Sequence, residues 1–385
     1  MIVSAFSKFG DHYVDGRYYD TKLAALDAAK GNIDLVEYRF NDHIYDRFDW
    51  TKDPFPDLSL WDLYRLRAQE IRDTHDYVVL QCSGGPDSQN MLEAFVYNGI
   101  RVDEIINVNS YHTTKVVQGT INNADYFFNL VPLLNNLEKT YNFKPKITIV
   151  DEVETVQKHW QNMYARGRED ICWDFGGPTS VFTRAHSAMY VPHLWQMLMD
   201  GRKVALVAGA DKPAASLIKG RYAIQFTNII ESNYREIAKE FGFANLDFWH
   251  WFYHAPTTAP IVIKQAHLLK NFVDQNPEPE YYEPMNQGKN YRPAQKWPSR
   301  HGFGNLRYDI FHKIIYPHWA PKIVTPKPAE YILRPQDTWW VKNMNPKEKN
   351  IWISSVRKLM RSHRENLREA VGINSLCQTR PRFIE

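Results

Sequence analysis

A chain of 385 residues with 44% hydrophobic content is long enough for one large α/β domain with appendages, or for two domains. A formal net charge of +3 does not give the strongly basic profile of a dedicated nucleic-acid binder, and no apolar run of about 18 residues offers a membrane-spanning helix. Three widely spaced cysteines, Cys82, Cys172 and Cys377, argue against a disulfide framework or a cysteine zinc site.

Residues 1 to about 50 read as a small α+β element. Residues 21–30 have an Ala-rich helical face, and residues 35–40 alternate as a strand does. The first residues lack the basic-then-apolar form of a signal peptide, so a reducing cytoplasm is the expected compartment. Residues 58–74 form an amphipathic helix with Leu60, Leu63, Leu66 and Ile71 on one face.

The next stretch organises the chain. Tyr77, Val78, Val79 and Leu80 make a short apolar run suited to a buried strand. Ser83, Gly84, Gly85, Pro86, Asp87 and Ser88 follow, where two glycines allow a sharp turn and close approach of a ligand. Met91, Leu92 and Phe95 then recur at helical spacing. A strand, a glycine turn and a helix start leave several N–H groups converging on one point, which suits a phosphate.

Strands are predicted over 102–107, 146–150 and 203–208, with helices over 122–141, 153–165 and 185–199 between them. Pro192 should kink the last of these helices or mark its start. The fold class is therefore α/β, a doubly wound parallel sheet with helices on both faces. At the strand ends, Asn107, Asn109, Ser110 and Tyr111 are candidates to line a nucleotide pocket or are ordinary loop polars. The 167–183 stretch reads as a loop, either functional or a simple turn, and Cys172 within it as a buried thiol. Gly209, Ala210, Asp211 and Lys212 close the strand at 203–208. Asp211, Lys212 and Lys219 put a carboxylate and ammonium groups near that strand end, either as functional groups or as the plainer cap of a turn.

Beyond Arg221 the alternation fades into a mainly helical, loop-rich region, with helices expected over 232–241 and 259–275. His250 and His254, four apart, would be metal ligands only on a shared helix face; aromatic packing is the plainer reading. A proline-rich surface loop is expected over 276–303, and short strands or turns over 305–327. A basic amphipathic helix within 346–372 carries Arg357, Lys358, Arg361, Arg364 and Arg368, either as a solvated face or as a docking face for nucleic acid. The organisation expected is 1–57, a small α+β element; 58–230, a nucleotide-binding α/β domain; and 231–385, an aromatic-rich helical region.

The six residues 83–88 resemble the SGGxDS signature of the PP-loop ATP pyrophosphatases, a superfamily with a HUP-like fold that includes the ATP-dependent domains of asparagine, GMP, NAD and argininosuccinate synthetases, several tRNA-modifying enzymes and the related sulfonucleotide reductases. The loop is not a Walker type, because GxxxxGK[ST] and its lysine are missing. The resemblance implies ATP and Mg²⁺ as cofactors, with Ser83, Gly84, Gly85, Asp87, Ser88 and Asn109 contacting the nucleotide. It makes Asp87, Asp211 and Lys212 the catalytic candidates, with Asp87 and Asp211 on the metal. It also implies adenylation of a substrate oxygen, followed by attack of an amine or ammonia. The 209–212 turn is similar to the GxGADE turn of asparagine synthetase, with Lys212 where that turn has glutamate. Residue 2 is Ile2 and only about 75 residues precede the loop, so this chain is not expected to make ammonia from glutamine as class II amidotransferases do. A small-molecule substrate is the expected partner; nucleic acid through the basic helix and a homo-oligomer stay open, and no membrane is expected. The rivals are base modification of tRNA or DNA, a reductase-like reaction using Cys377, and a nucleotide binder without catalysis.

Overall fold

The computed structural model describes residues 10–19, 22–40, 42–109, 125–151, 191–209, 213–226, 242, 244–251, 258–283, 297–321, 346–347 and 377–385. At its centre lies a five-stranded parallel sheet of β4 (Tyr77–Gln81), β5 (Glu104–Asn109), β6 (Lys146–Asp151), β7 (Val204–Ala208) and β10 (Leu246–His250). The spatial order is β10-β7-β4-β5-β6. From the central strand β4 the chain steps outward through β5 and β6, then returns to the other flank of β4 for β7 and β10. That reversal creates a switch point between β4 and β7, the place in such sheets where ligands characteristically bind.

The strands read as they do because they are covered on both faces. Val78, Val79 and Leu80 of β4 and every residue of β7 are buried. A parallel strand enclosed in this way needs a continuous apolar run rather than alternation. β10 was not legible, since it lies in a stretch dense in aromatics and histidine with no alternation. Its place in the sheet corrects the reading of His250 and His254 as neighbours on a helix: His250 is a strand residue, and His254 lies outside the described residues.

Helix α3 (Leu60–Thr74) leads into β4. Its start is fixed by a reciprocal cap: the Asp62 N–H donates to Ser59 Oγ at 3.1 Å, and the Ser59 N–H to Asp62 Oδ2 at 2.9 Å. Leu60, Leu63, Tyr64, Ala68 and Ile71 form the buried face, together with Arg67. Leu66 is exposed, a correction to the predicted face, because it falls about 120° from the centre of that stripe at helical spacing. Helix α4 (Pro86–Val96) follows β4.

The helix expected over 122–141 is a π-helical turn, Asp125–Leu130, continued by α5 (Val131–Tyr141). Pro132 has no N–H to give to the preceding turn, and the ladder widens there. Helix α6 (Pro192–Met199) starts at its proline. Helix α7 (Thr258–Gln275) packs on α3. Residues 308–315, where short strands or turns were expected, are helical: α8 (Tyr308–Ile315) buries Phe311, His312 and Ile315. No side chain caps its start, so the sequence gives no boundary signal there. No helix among the described residues is long and apolar enough to cross a membrane.

Two small antiparallel sheets flank this core. β1 (Asp11–Val14) pairs with β2 (Arg17–Tyr19) and β3 (Glu37–Arg39). The hairpin of β8 (Ala214–Ile218) and β9 (Arg221–Gln225) accepts β11 (Arg382–Phe383) at its edge. Its turn, Lys219 and Gly220, has φ of 51° and 76°, the pattern of a tight two-residue hairpin loop. Lys219 is exposed at that tip. Residues 377–385 tie the two small sheets together. The Tyr38 N–H donates to the Gln378 carbonyl at 3.1 Å, and the Arg382 guanidinium, buried among Tyr45, Trp50 and Phe226, reaches Asp42 and Asp46 of α2 (Asp42–Tyr45) and its end.

Removing residues 379–385 is expected to expose the edge of β9 and leave Asp42 and Asp46 without Arg382. Hydrogen exchange should then show lost protection over 214–225 and 37–46, with β4 unchanged. Equal loss across β4 would mean that the parallel sheet depends on this clasp.

Candidate functional site

The turn between β4 and α4 sits at the C-terminal end of the central strand. Cys82 continues the sheet pattern through its N–H to the Ile106 carbonyl at 3.0 Å, and Asn107 Nδ2 donates to the Cys82 carbonyl at 2.7 Å. Asn107, buried to 2% exposure, is therefore a strut under the turn rather than a wall of a pocket. Pro86 occupies the first helical turn with Gly85 as its cap, and no side chain caps the helix.

The loop closes on itself through its serines. The Gly84 N–H donates to Ser88 Oγ at 3.2 Å, the Gly85 N–H to Ser83 Oγ at 3.3 Å, and the Ser88 hydroxyl to the Gly85 carbonyl at 3.0 Å. Hydroxyl oxygens thus stand where the oxygens of an anion would accept the same backbone protons. The donor set suits a phosphate, which replaces the hydroxyls as acceptor and gains the positive end of the helix dipole.

Two glycines are required sterically. Gly84 has φ of 91°, in the left-handed region, and a Cβ there would fall on the Asp125 carbonyl, 2.7 Å from its carbon. Gly209, just after β7, faces the start of α4, where a Cβ would lie 2.8 Å from the backbone of Asp87 and Ser88. The loops leaving β4 and β7 are thus in contact at the switch point.

Asp125 is the site residue that sequence reasoning missed. It begins the π-helical turn, its carbonyl packs on Gly84, and its Oδ2 stands 3.8 Å from the Cβ position of Gly85. Asn129 Nδ2 holds Oδ1 at 3.2 Å. The available signal was topological: the helix after β5 starts at the ligand-bearing edge of the sheet.

Three phenols, Tyr64 of α3, Tyr308 of α8 and Tyr316 just past it, lie near Asp87. The Tyr316 hydroxyl donates to Asp87 Oδ1, and Tyr64 donates to the Ile315 carbonyl at 2.8 Å while accepting from Gln265 Nε2 at 2.8 Å. Burial pushes the Tyr316 phenol well above its ordinary range, and the Asp87 charge adds to that. Tyr308 rises for the same reasons in the same order, with Asp125 contributing as well. Tyr64 rises through burial, against the hydrogen bond from Gln265, and Asp87 again raises it. All three phenols therefore stay protonated as neutral donors. Gln81, at the last position of β4, adds a buried amide nitrogen with no hydrogen-bond partner among the described residues.

The structure therefore brings Ser83, Gly84, Gly85, Asp87 and Ser88 together. Asn109 ends β5, its backbone in register with Asp151, and its side chain is outside the described part. Asp211, Lys212, Ser110, Tyr111, Cys172 and residues 351–372 also lie outside the described residues. Cys377 is a buried thiol. Among the described residues no group of three or more His, Cys, Asp and Glu side chains forms a metal cluster. The carboxylates of Asp87 and Asp125 beside the loop are the ligand type that Mg²⁺ characteristically takes, one or two at a time, with its shell completed by phosphate oxygens and water. No protein-family model matches this chain, and no curated protein matches it.

Substituting Gly84→Ala is expected to cost about 2 kcal/mol or more, from the left-handed backbone and the overlap with Asp125. Urea titration would check this; a variant as stable as wild type would show that the loop is not built around this glycine. One turn beyond the loop, burial pushes the Glu93 carboxyl up to about 7 from an ordinary 4.5. The folded state then binds the proton more tightly than the unfolded one, so stability is highest below the unfolded value and falls as pH rises through that window. Glu93→Gln should flatten the decline between about pH 4.5 and 7. Parallel stability curves for the two proteins would contradict the burial argument.

Proposed function

We propose that this chain is an ATP-dependent adenylating enzyme of the PP-loop type, converting ATP to AMP and pyrophosphate while activating a substrate oxygen for attack by an amine or ammonia. The observation that carries this reading is the serine–glycine loop at the end of the central parallel strand, pressed against Gly209 of the neighbouring strand at the switch point. That position suits a nucleotide with its phosphates on the loop and the N-terminus of α4.

The substrate oxygen attacks the α-phosphorus, a new P–O bond forms, and the bond to pyrophosphate breaks, with pyrophosphate leaving. The loop N–H groups and the hydroxyls of Ser83 and Ser88 hold the leaving phosphates and stabilise the charge that grows there. Asp87 and Asp125, with Asp211 as the sequence suggests, would hold Mg²⁺, whose chemistry is to offset phosphate charge. Tyr316 fixes the rotamer of the Asp87 carboxylate through its hydroxyl. Lys212 is the sequence's candidate for meeting charge on pyrophosphate. The remaining contribution is positioning: reacting atoms held in line supply much of the rate. The buried Cys377 is poorly placed to act as an attacking thiolate, which weighs against a reductase-like reaction.

The test is release of AMP and pyrophosphate from ATP–Mg²⁺ with metabolite, tRNA and DNA pools added in turn. Wild type should release both products with one pool. Asp87→Ala should lower the rate by about a hundredfold or more, and Asp125→Ala by at least about tenfold, as expected for groups that act on transition-state charge. Tyr316→Phe should slow the reaction less than either, since it removes only the carboxylate's orienting bond. ADP and phosphate as products, or full activity in Asp87→Ala, would overturn the adenylation reading.

A further inference from the structure

The end of the parallel sheet opposite the 83–88 loop holds a second group of interacting polar side chains. Glu104 begins β5 and Lys146 begins β6, and the two are cross-strand partners in register. Residues so placed project on one face of a sheet. Both meet one atom of a third residue. His193 Nε2, from the first turn of α6, lies 2.7 Å from Glu104 Oε2 and 2.9 Å from Lys146 Nζ.

The carboxylate is the fixed member. Glu104 is fully buried, with the Tyr77 hydroxyl donating to Oε2 at 3.0 Å and the Thr148 hydroxyl to Oε1 at 2.5 Å. The imidazole is half-buried, and Lys146 is exposed. The three groups thus run from the interior to the solvent, with the amine at the open end.

An imidazole nitrogen carries either a proton or a lone pair. With the proton, Nε2 donates to Glu104; with the lone pair, it accepts from the Lys146 amine. It cannot do both in one state, so the two contacts are the start and the end of one proton transfer. Nε2 takes a proton from Lys146 and then donates a hydrogen bond to a carboxylate already held to receive it. A nucleophile, a base within reach of it and a third group that orients the base form the arrangement that activates nucleophiles for covalent chemistry. Lys52, Lys264 and Lys270 differ, because each of their amines pairs with an aspartate.

We propose that Lys146 is an acylation site, with His193 as its base and a mixed carboxylic–phosphoric anhydride as the acyl donor. Nζ attacks the acyl carbon, a C–N bond forms, and the C–O bond to phosphate breaks with its electron pair leaving on the phosphate. His193 Nε2 takes the first amine proton before attack, and the second is released to the departing phosphate. The lysine ends as a neutral amide. Nothing in this proposal rests on the adenylation reading.

The test incubates the full chain with acetyl phosphate and follows acetylation of individual lysines by peptide mass spectrometry. Lys52 and Lys144, with side chains 79% and 65% exposed, are the references for unassisted reaction. Lys146 is expected to react about tenfold or more faster than either, at the modest end of what a positioned base contributes. His193→Gln keeps a donor for Glu104 but no base, so it should remove the excess at Lys146 and leave both references unchanged. His193→Asn serves if the glutamine variant does not fold. A wild-type rate at Lys146 no higher than at Lys52 and Lys144, or an excess that survives in the His193 variant, overturns the proposal.

Discussion

Two places where the protein has no room for a side chain set the geometry of the candidate site. At Gly84 the turn after the central strand takes a left-handed conformation against the Asp125 carbonyl, and at Gly209 the neighbouring strand ends against the backbone of Asp87 and Ser88. Each contact brings together segments from a different strand of the sheet: the turn after β4, the helix after β5 and the end of β7. Glycine is the cheapest means of such an approach, because it combines positive φ with no Cβ. The parallel sheet makes this convergence repeatable. Strands in register deliver their C-terminal ends to one edge, and the reversal of order at β4 opens the gap into which the loops fold.

The C-terminal half completes the site from outside. Tyr316, just past α8, reaches Asp87, and Tyr64 of α3 binds the chain at Ile315, so the core helix that precedes the central strand also anchors the segment lying over its loop. Gln265 of α7 ties that phenol to a third helix. Residues 377–385 hold the two small sheets to one another in a comparable manner, with a buried arginine set among aromatic rings and paired to Asp42 and Asp46. Such arginine pairings are directional, and they fix the approach of segments that share little apolar surface.

How much of this could be read in the sequence follows from the range of the interactions involved. The loop and the strands before and after it were legible because their signals are local: four apolar residues, two glycines, a proline in the first helical turn, and apolar periods of the right length. α3 was legible for the same reason, although the expected start at Leu58 ran past the Ser59 cap. Leu66 was misplaced because a hydrophobic residue at the border of a stripe has no local marker telling which side it faces. β10 and α8 were missed because both depend on tertiary context: one completes a sheet edge in an aromatic-rich stretch, and the other starts without a capping side chain. Asp125 escaped notice because its role comes from a carbonyl packed on a glycine about forty positions away in sequence, and no pattern of spacing encodes that.

The phenols around Asp87 carry a further implication for how the carboxylate works. A phenol donates a hydrogen bond and leaves the charge in place. Asp87 in turn adds to the rise of Tyr316, Tyr308 and Tyr64, each pushed above its ordinary range first by burial. Burial, the larger cause at all three, keeps the phenols protonated, so the donors cannot become competing anions. The result is a carboxylate oriented by the neutral Tyr316 hydroxyl, beside the backbone N–H groups of Gly84 and Gly85. Under the adenylation proposed above, the N–H groups would take a phosphate and the carboxylate a cation, and a metal-bound nucleotide would bring both in one ligand.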